Sequence, residues 1–129
     1  MNLNQVTVPA LYLDRSIAFY RTLGFRLIVK EANRYARFEA PSGDATLSLE
    51  RVDQAGPFAG PSLYFEVNDV DAEVRELKRK GIQFDSDPAD REWLWREAWL
   101  IDPGGTRLCL YHAGKNRRFP PWRLSEAES

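Results

Sequence analysis

Residues 3–25 read LNQVTVPALYLDRSIAFYRTLGF and carry the signals of a strand, a helix and the start of another strand. The first half, as far as Leu13, has the apolar and β-branched enrichment of a strand. A helix over 16–23 is predicted because apolar residues recur there at helical spacing, with Asp14 as its N-cap. Gly24 ends this helix, since glycine enters the left-handed cap conformation at little cost.

The same pattern returns later in the chain. Residues 62–67 have the composition of a second strand and 71–80 that of a second amphipathic helix, which Gly81 closes as Gly24 closes the first. These two glycines are 57 residues apart, whereas later landmarks are 61 apart, which indicates four extra residues in the second copy. Two copies of one unit predict a domain of paired modules.

The composition is typical of a soluble globular protein of one domain. The chain has 129 residues, of which 43% are hydrophobic and 29% charged, and its formal net charge is −1. This balanced charge gives no reason to expect nucleic acid as a partner, and no apolar run is long enough to predict a membrane span. The single cysteine excludes an internal disulfide, and the lack of a signal-peptide pattern favours the cytoplasm.

Each module is predicted to follow the order β-α-β-β-β, so the fold class is α+β with eight strands and two helices. Module 1 spans about 1–53 and module 2 about 61–112, with a linker over 53–61 and an irregular tail over 113–129. We expect both helices on one side of curved strands and a cup on the other side. The strands expected after the helices lie at 25–31, 35–40 and 45–52 in module 1 and at 82–85, 92–101 and 106–111 in module 2.

Three short motifs occur in order on this repeat. They are Asp14-x-Ser16-x-x-Phe19-Tyr20-x-x-x-Gly24-Phe25, Phe65-x-Val67-x-Asp69-Val70-Asp71-Ala72 and Asp102-Pro103-Gly104-Gly105. Together they resemble the vicinal-oxygen-chelate superfamily, which includes glyoxalase I, the extradiol dioxygenases and the bleomycin-resistance proteins. The resemblance covers about 3–111. It implies an eight-stranded, partly open antiparallel or mixed barrel with its helices outside, commonly assembled as a homodimer.

The resemblance also bears on metal binding. In metal-dependent members, His and Glu side chains on the first and last strands of each module hold a divalent metal. Carried over by motif, these positions fall near Gln5, Ser48, Ser62 and Cys109. None of them is His or Glu, the ligands that such metals favour, so we predict no metal and no other cofactor. A different register would bring in Glu50 and the sole histidine, His112, as ligands.

The cup face is predicted to carry the binding residues. Glu50 and Glu66 are its only carboxylates, and either is a candidate general base if burial raises its pKa. In the alternative interpretation, both carboxylates lie at a solvated rim and pair with Arg107. The predicted ligand-binding residues are Gln5, Thr7, Ser48, Ser62, Tyr64, Trp95, Trp99, Arg107, Cys109 and Tyr111.

The stretch 92–101 (EWLWREAWLI) is the most aromatic part of the chain. Its alternation predicts Trp93, Trp95 and Trp99 on one strand face, with Glu97 between the last two. These rings form either a wall for a flat ligand or packing in the core or at a subunit interface. Together with the apolar tail, they predict a homodimer, because a two-fold contact lets one patch cover its own copy.

Two functions fit these features. The first is a metal-independent protein that binds a small aromatic or amphipathic molecule in its cup, similar to the bleomycin-resistance branch. The second is a metal-dependent or carboxylate-based lyase, isomerase or dioxygenase-like enzyme that uses Glu50 or Glu66. The side chains at the metal positions and the aromatic stretch favour the first function, and a scaffold with a vestigial cup is a third interpretation.

Overall fold

The computed structural model describes residues 1–54 and 60–128. Within these ranges the chain has the predicted order of two β-α-β-β-β modules, which confirms the α+β fold class. The linker expected over 53–61 lies mostly outside the described residues. None of the helices in the described ranges is long and apolar enough to cross a membrane.

The helices and strands are short and evenly distributed between the modules. Module 1 contains β1 (Gln5–Ala10), α1 (Leu13–Thr22), β2 (Arg26–Glu31), β3 (Tyr35–Glu39) and β4 (Thr46–Arg51). Module 2 contains β5 (Leu63–Glu66), α2 (Val70–Arg79), β6 (Ala89–Asp90), β7 (Arg96–Ile101) and β8 (Arg107–His112), followed by a single 3-10 turn (Gly114–Asn116).

Each module forms its own four-stranded mixed sheet. Sheet 1 has the order β1-β4-β3-β2 and sheet 2 the order β5-β8-β7-β6. In each sheet the first strand pairs in parallel with the last, and the other pairs are antiparallel. Among the described strands, β1 and β5 therefore each have an unpaired edge, and the barrel is not closed.

One hydrophobic core joins the two modules. In α1 the buried side chains Leu13, Ile17 and Tyr20 recur at helical spacing, as Val70, Val74 and Leu77 do in α2. The helix-facing residues of both sheets belong to the same cluster, including Val8, Phe38, Leu47, Leu49, Leu100 and Leu108. The alternate residues of each strand lie on the opposite face, away from the helices.

Three contacts fix one module against the other. The Tyr20 hydroxyl donates to a buried carboxylate oxygen of Asp102 at 2.5 Å. The rings of Phe25 and Phe65 meet edge to face, 5.7 Å apart. Gly104 lies so close to β1 that a Cβ atom there would be 2.2 Å from the Pro9 carbonyl oxygen. The Asp102–Gly105 turn of module 2 is therefore docked directly on module 1.

The start of α1 differs from the prediction. The helix begins at Leu13, Tyr12 is its N-cap residue without a side-chain cap bond, and Asp14 lies inside the first turn. Leu13 was expected in a strand, but it is one turn before Ile17 on the buried side of the helix, so core packing extends the helix backwards. Asp14 then acts through the favourable charge of an acid near a helix N-terminus.

The predicted strand over 92–101 was too long. Only Arg96–Ile101 forms β7, and the preceding residues form the turn between β6 and β7, where Leu94 has a positive φ of 67°. Trp93 therefore lies in this turn and not on the strand. The strand expected at 82–85 is also wrong: the chain is irregular there, and the short β6 (Ala89–Asp90) pairs with β7 instead.

Candidate ligand-binding site

A cleft of about 880 Å³ lies between the two sheets, along the unpaired edge of β5. Every residue from 61 to 67 lines it, and sheet 1 contributes Gln5, Val6 and Thr46. Such a volume is in the range of small-molecule sites. The opening in the incomplete barrel is therefore large enough to hold a ligand.

The walls of this cleft are mostly apolar. Leu23 and Phe25 line it where α1 meets β2, Leu77 lines it from α2, and Leu110 from β8. Tyr64 lines it from β5, and its side chain is 48% exposed. A few polar groups among apolar walls are typical of sites that bind small organic molecules.

A hydrogen-bonded chain of side chains lies on the outer face of sheet 1. Ser48 is fully buried and contacts Gln5 Nε2 at 2.7 Å and the Tyr35 hydroxyl at 2.6 Å. Arg37 Nε donates to the same hydroxyl at 2.9 Å, and Thr46 donates to Gln5 Oε1. The Ser48 hydrogen bond, with help from Arg37, lowers the pKa of Tyr35. Gln5 therefore lines the cleft with its side-chain amide already hydrogen-bonded to Ser48 and Thr46.

Four rings form an aromatic cluster on the outer face of sheet 2: Tyr64, Trp95, Trp99 and Tyr111. Trp95 and Tyr111 stack with centroids 4.6 Å apart, and Tyr64 meets all three other rings edge to face. The Arg107 guanidinium lies over Trp99, 4.5 Å from the ring centroid. Tyr64 alone of the four lines the cleft, so the other rings hold it in place from behind.

Glu97 is a central residue of this face and is not among the site residues predicted from the sequence. It is only 3% exposed, and its carboxylate accepts hydrogen bonds from the indole N–H groups of Trp93 at 2.7 Å and Trp99 at 3.0 Å. Arg91 Nε lies 3.5 Å from the same carboxylate. The tryptophans on either side of Glu97 in the sequence could have predicted this role, since an indole N–H that is withdrawn from water needs an acceptor.

Cys109 lies fully buried beneath the aromatic cluster, packed with Trp95 and Trp99. Burial, together with the nearby Glu97 charge, raises the pKa of the Cys109 thiol to about 12. At neutral pH the sulfur is therefore a protonated, apolar part of the packing.

We expect the Cys109 thiol to be almost inert in the folded protein. At pH 8 a pKa of about 12 leaves about a thousandfold less thiolate than in an unfolded chain. Reaction with a chromogenic disulfide reagent should thus be very slow until a denaturant is added. Rapid labelling of the folded protein at this pH would contradict the burial of the thiol.

Glu66 lines the cleft and also anchors the segment that follows β8. Its carboxylate accepts the backbone N–H groups of Ala113 and Gly114, both at 2.8 Å. Burial alone would raise the pKa of Glu66, but these donors and the nearby His112 and Arg117 together lower it. The carboxylate is therefore ionised at neutral pH and a poorer base than a free glutamate, which does not favour a general-base role.

The expected pairing of the two carboxylates with Arg107 does not occur. The basic side chains near Glu66 are His112 and Arg117, at 3.9 and 4.0 Å, while Arg107 lies over the Trp99 ring. Glu50 is exposed on β4 beside Tyr35. The carboxylates of Glu50 and Glu66 therefore do not form an ion pair with the guanidinium of Arg107.

The cleft collects only part of the predicted ligand-binding set. Gln5, Ser62 and Tyr64 line it, whereas Ser48 lies behind Gln5, and Trp95, Trp99, Cys109 and Tyr111 lie behind Tyr64. Thr7 and Arg107 line an adjoining crevice of about 100 Å³ beside the Asp102–Gly105 turn, which shares Val6, Pro61 and Leu63 with the cleft. Glu66, which was predicted as a candidate general base, also lines the cleft.

The residues at the four positions that the resemblance assigns to a metal do not fit a divalent cation. Gln5 and Ser48 are hydrogen-bonded to each other, and the Cys109 thiol is protonated and covered. Within 1–54 and 60–128, no three side chains of His, Cys, Asp or Glu are grouped so that they could hold a metal ion. An amide, two hydroxyls and a neutral thiol offer little to replace the water shell of such an ion.

The fold is shared with several solved proteins. A glyoxalase/bleomycin resistance protein/dioxygenase from Nocardioides has 23% identity, with 97% of this chain and 90% of that chain covered and a TM-score of 0.76. A bleomycin-binding protein solved with bleomycin has 28% identity, with coverage of 87% and 98% and a TM-score of 0.70. Lactoylglutathione lyase from Agrobacterium tumefaciens has 17% identity, with coverage of 88% and 94% and a TM-score of 0.72.

Sequence comparison gives the family directly. No curated protein sequence matches the chain. The sequence model of the Glyoxalase/Bleomycin resistance protein/Dioxygenase superfamily matches residues 2–110, which is most of the chain. The chain therefore belongs to the Glyoxalase/Bleomycin resistance protein/Dioxygenase superfamily.

Proposed function

We propose that this protein binds a small aromatic or amphipathic molecule in the cleft between its two sheets. The observation that carries this proposal is the cleft of about 880 Å³, with its apolar walls and the exposed Tyr64 ring. Apolar walls supply affinity by removing ligand surface from water, and the few polar groups orient the ligand. The rings packed behind Tyr64 keep it in place, so little ordering is needed on binding.

The comparisons support binding as the function. The bleomycin-binding protein, with 28% identity over most of both chains, was solved with a small molecule bound. The lyase with 17% identity supports the shared fold alone. For this chain, small-molecule binding is therefore better supported than lyase activity.

The site residues also favour binding over catalysis. The donor set at the superfamily's metal positions is poor, and Glu66 is held in its ionised form by two backbone N–H groups. A metal-dependent or carboxylate-based lyase, isomerase or dioxygenase would need a better metal site or a carboxylate with a raised pKa. The function proposed here requires neither.

N-phenyl-1-naphthylamine, a neutral probe that fluoresces in apolar surroundings, tests this proposal. It should bind the native protein, and prior treatment with EDTA should not change its affinity. Tyr64→Ala should weaken binding about tenfold, since an aromatic contact contributes about 1 kcal/mol beyond the free energy of burying its apolar area. Tyr12→Ala removes an exposed tyrosine outside the cleft and is the matched control. No fluorescence increase, or equal affinity for wild type and Tyr64→Ala, would contradict the proposal.

We also propose that the chain forms a homodimer. Trp93, Leu94, Phe119 and Trp122 are each about half exposed, which leaves large apolar side chains in contact with water. A two-fold contact buries such a patch against its own copy. Light scattering should give twice 14.9 kDa, and a mass of 14.9 kDa at micromolar concentration would reject the dimer.

A further inference from the structure

We infer that the cleft selects an organic cation: a molecule with an apolar body and a positively charged amine or quaternary ammonium group. This inference rests on the proposed function and adds the charge of the ligand. Glu66 and Glu73 line the cleft, and no lysine or arginine is among the described residues that line it. Apolar walls with negative charge alone favour a positive ligand over a neutral or negative one of the same shape.

The charge of Glu66 is fixed by its hydrogen bonds. Two backbone N–H groups, from Ala113 and Gly114, donate to one of its carboxylate oxygens. Hydrogen bonds of this kind stabilise the ionised form. His112 and Arg117 lie 3.9 and 4.0 Å from the same carboxylate, and the Arg117 guanidinium offsets part of its charge, but neither residue lines the cleft. A ligand in the cleft therefore meets the carboxylate and neither of these two side chains.

Glu73 adds a second negative charge to the lining of the cleft. It lies on α2, is exposed, and makes no ion pair with any residue in the described part of the chain. Its neighbour on the same helix, Glu76, is instead paired with Arg79 and Lys80 and does not line the cleft. The helix thus presents an unpaired carboxylate to the cleft and a paired one elsewhere.

Tyr64 supplies a further feature that suits a cation. Its ring lines the same cleft, and an aromatic face attracts a cation placed within about 6 Å of it. The neighbouring Trp99 has a guanidinium in this position, that of Arg107 at 4.5 Å, which lines the adjoining crevice and not the cleft. Carboxylate charge and aromatic surface together match a quaternary ammonium group.

Three naphthalene probes of matched shape test the inference by equilibrium dialysis. Trimethyl(2-naphthyl)ammonium is the cation, 2-tert-butylnaphthalene is its neutral isostere, and 2-naphthalenesulfonate is an anion. The cation should bind more tightly than the anion. Glu73→Gln and Glu66→Gln should each weaken the cation about threefold, and the pair about tenfold, without changing the neutral probe. Raising salt from about 20 to about 500 mM should weaken the cation alone.

Glu76→Gln is the control, because it removes a negative charge from the same helix outside the cleft. Glu73→Gln alters an exposed helix position, so its result stands even if Glu66→Gln disturbs the segment that Glu66 anchors. Equal loss with Glu76→Gln, or tighter binding of the sulfonate than of the cation, would overturn the inference. If the neutral probe binds and the cation does not, the charge inference fails and the proposed function survives. If none of the three binds, both fail.

Discussion

Gly104→Ala is expected to lower the free energy of unfolding by more than about 3 kcal/mol. A Cβ atom at this position would lie 2.2 Å from the Pro9 carbonyl oxygen and 3.1 Å from the Pro9 carbonyl carbon. Both are backbone atoms of β1, so no side-chain rotation relieves the clash. The Asp102–Gly105 turn would have to move away from module 1, which would disrupt the contact between the modules. Urea unfolding followed by tryptophan fluorescence measures the loss.

Gly60→Ala is the matched control for this substitution. No atom of residues 1–54 or 62–128 lies within 4 Å of a Cβ atom built at Gly60, so its effect should stay within about 0.5 kcal/mol of wild type. If Gly104→Ala unfolded at the same urea concentration as Gly60→Ala, the close approach of the turn to β1 would be wrong.

Asp102→Ala should cost about 3–5 kcal/mol, because it leaves three donors without their shared acceptor. The Asp102 carboxylate accepts from the Tyr20 hydroxyl at 2.5 Å, from the Gly104 N–H at 3.0 Å and from the Thr106 N–H at 2.8 Å. The carboxylate is buried, so water does not readily replace it. The same denaturant measurement applies. A loss below about 1 kcal/mol would show that this carboxylate does not hold the modules together.

Tyr20→Phe removes only the hydrogen bond from the Tyr20 hydroxyl, and the resulting loss of stability should depend on pH. Burial raises the pKa of Asp102, while the Tyr20 hydroxyl and backbone donors limit the rise. The carboxyl's contribution to stability is therefore complete below its unfolded pKa of about 4 and is lost as pH rises through its higher folded pKa. The hydroxyl supports the ionised form, so Tyr20→Phe should cost more at pH 7 than at pH 4. Equal costs at both values would contradict this coupling.

The order of helices and strands could be predicted from the sequence because its signals are local. Glycines close both helices, and the 57-residue spacing between Gly24 and Gly81 relates the two modules. The errors occur where contacts distant in sequence decide the structure. Leu13 joins α1 because it packs in the core, and Trp93 leaves the strand because a turn connects β6 to β7.

The position of the cleft could not be predicted from strand alternation. Alternation along a strand assigns each residue to one of the two faces of a sheet. At an edge strand, however, side chains from both faces can line a cleft that runs beside the unpaired edge. In β5, Leu63 and Phe65 from the core face therefore line the cleft together with Tyr64 and Glu66 from the outer face. The role of Glu97 was also missed, because it depends on the direction of two indole N–H groups.

Chemical-shift mapping tests most directly the claim that a small molecule occupies the cleft. Amide spectra of the ¹⁵N-labelled protein are recorded as N-phenyl-1-naphthylamine is added. The largest shifts should fall on the edge strand at 62–67 and on Gln5 and Val6, which line the cleft from both sheets. Shifts confined to the turn at 92–94 or to the tail at 117–124, with 62–67 unchanged, would contradict the account.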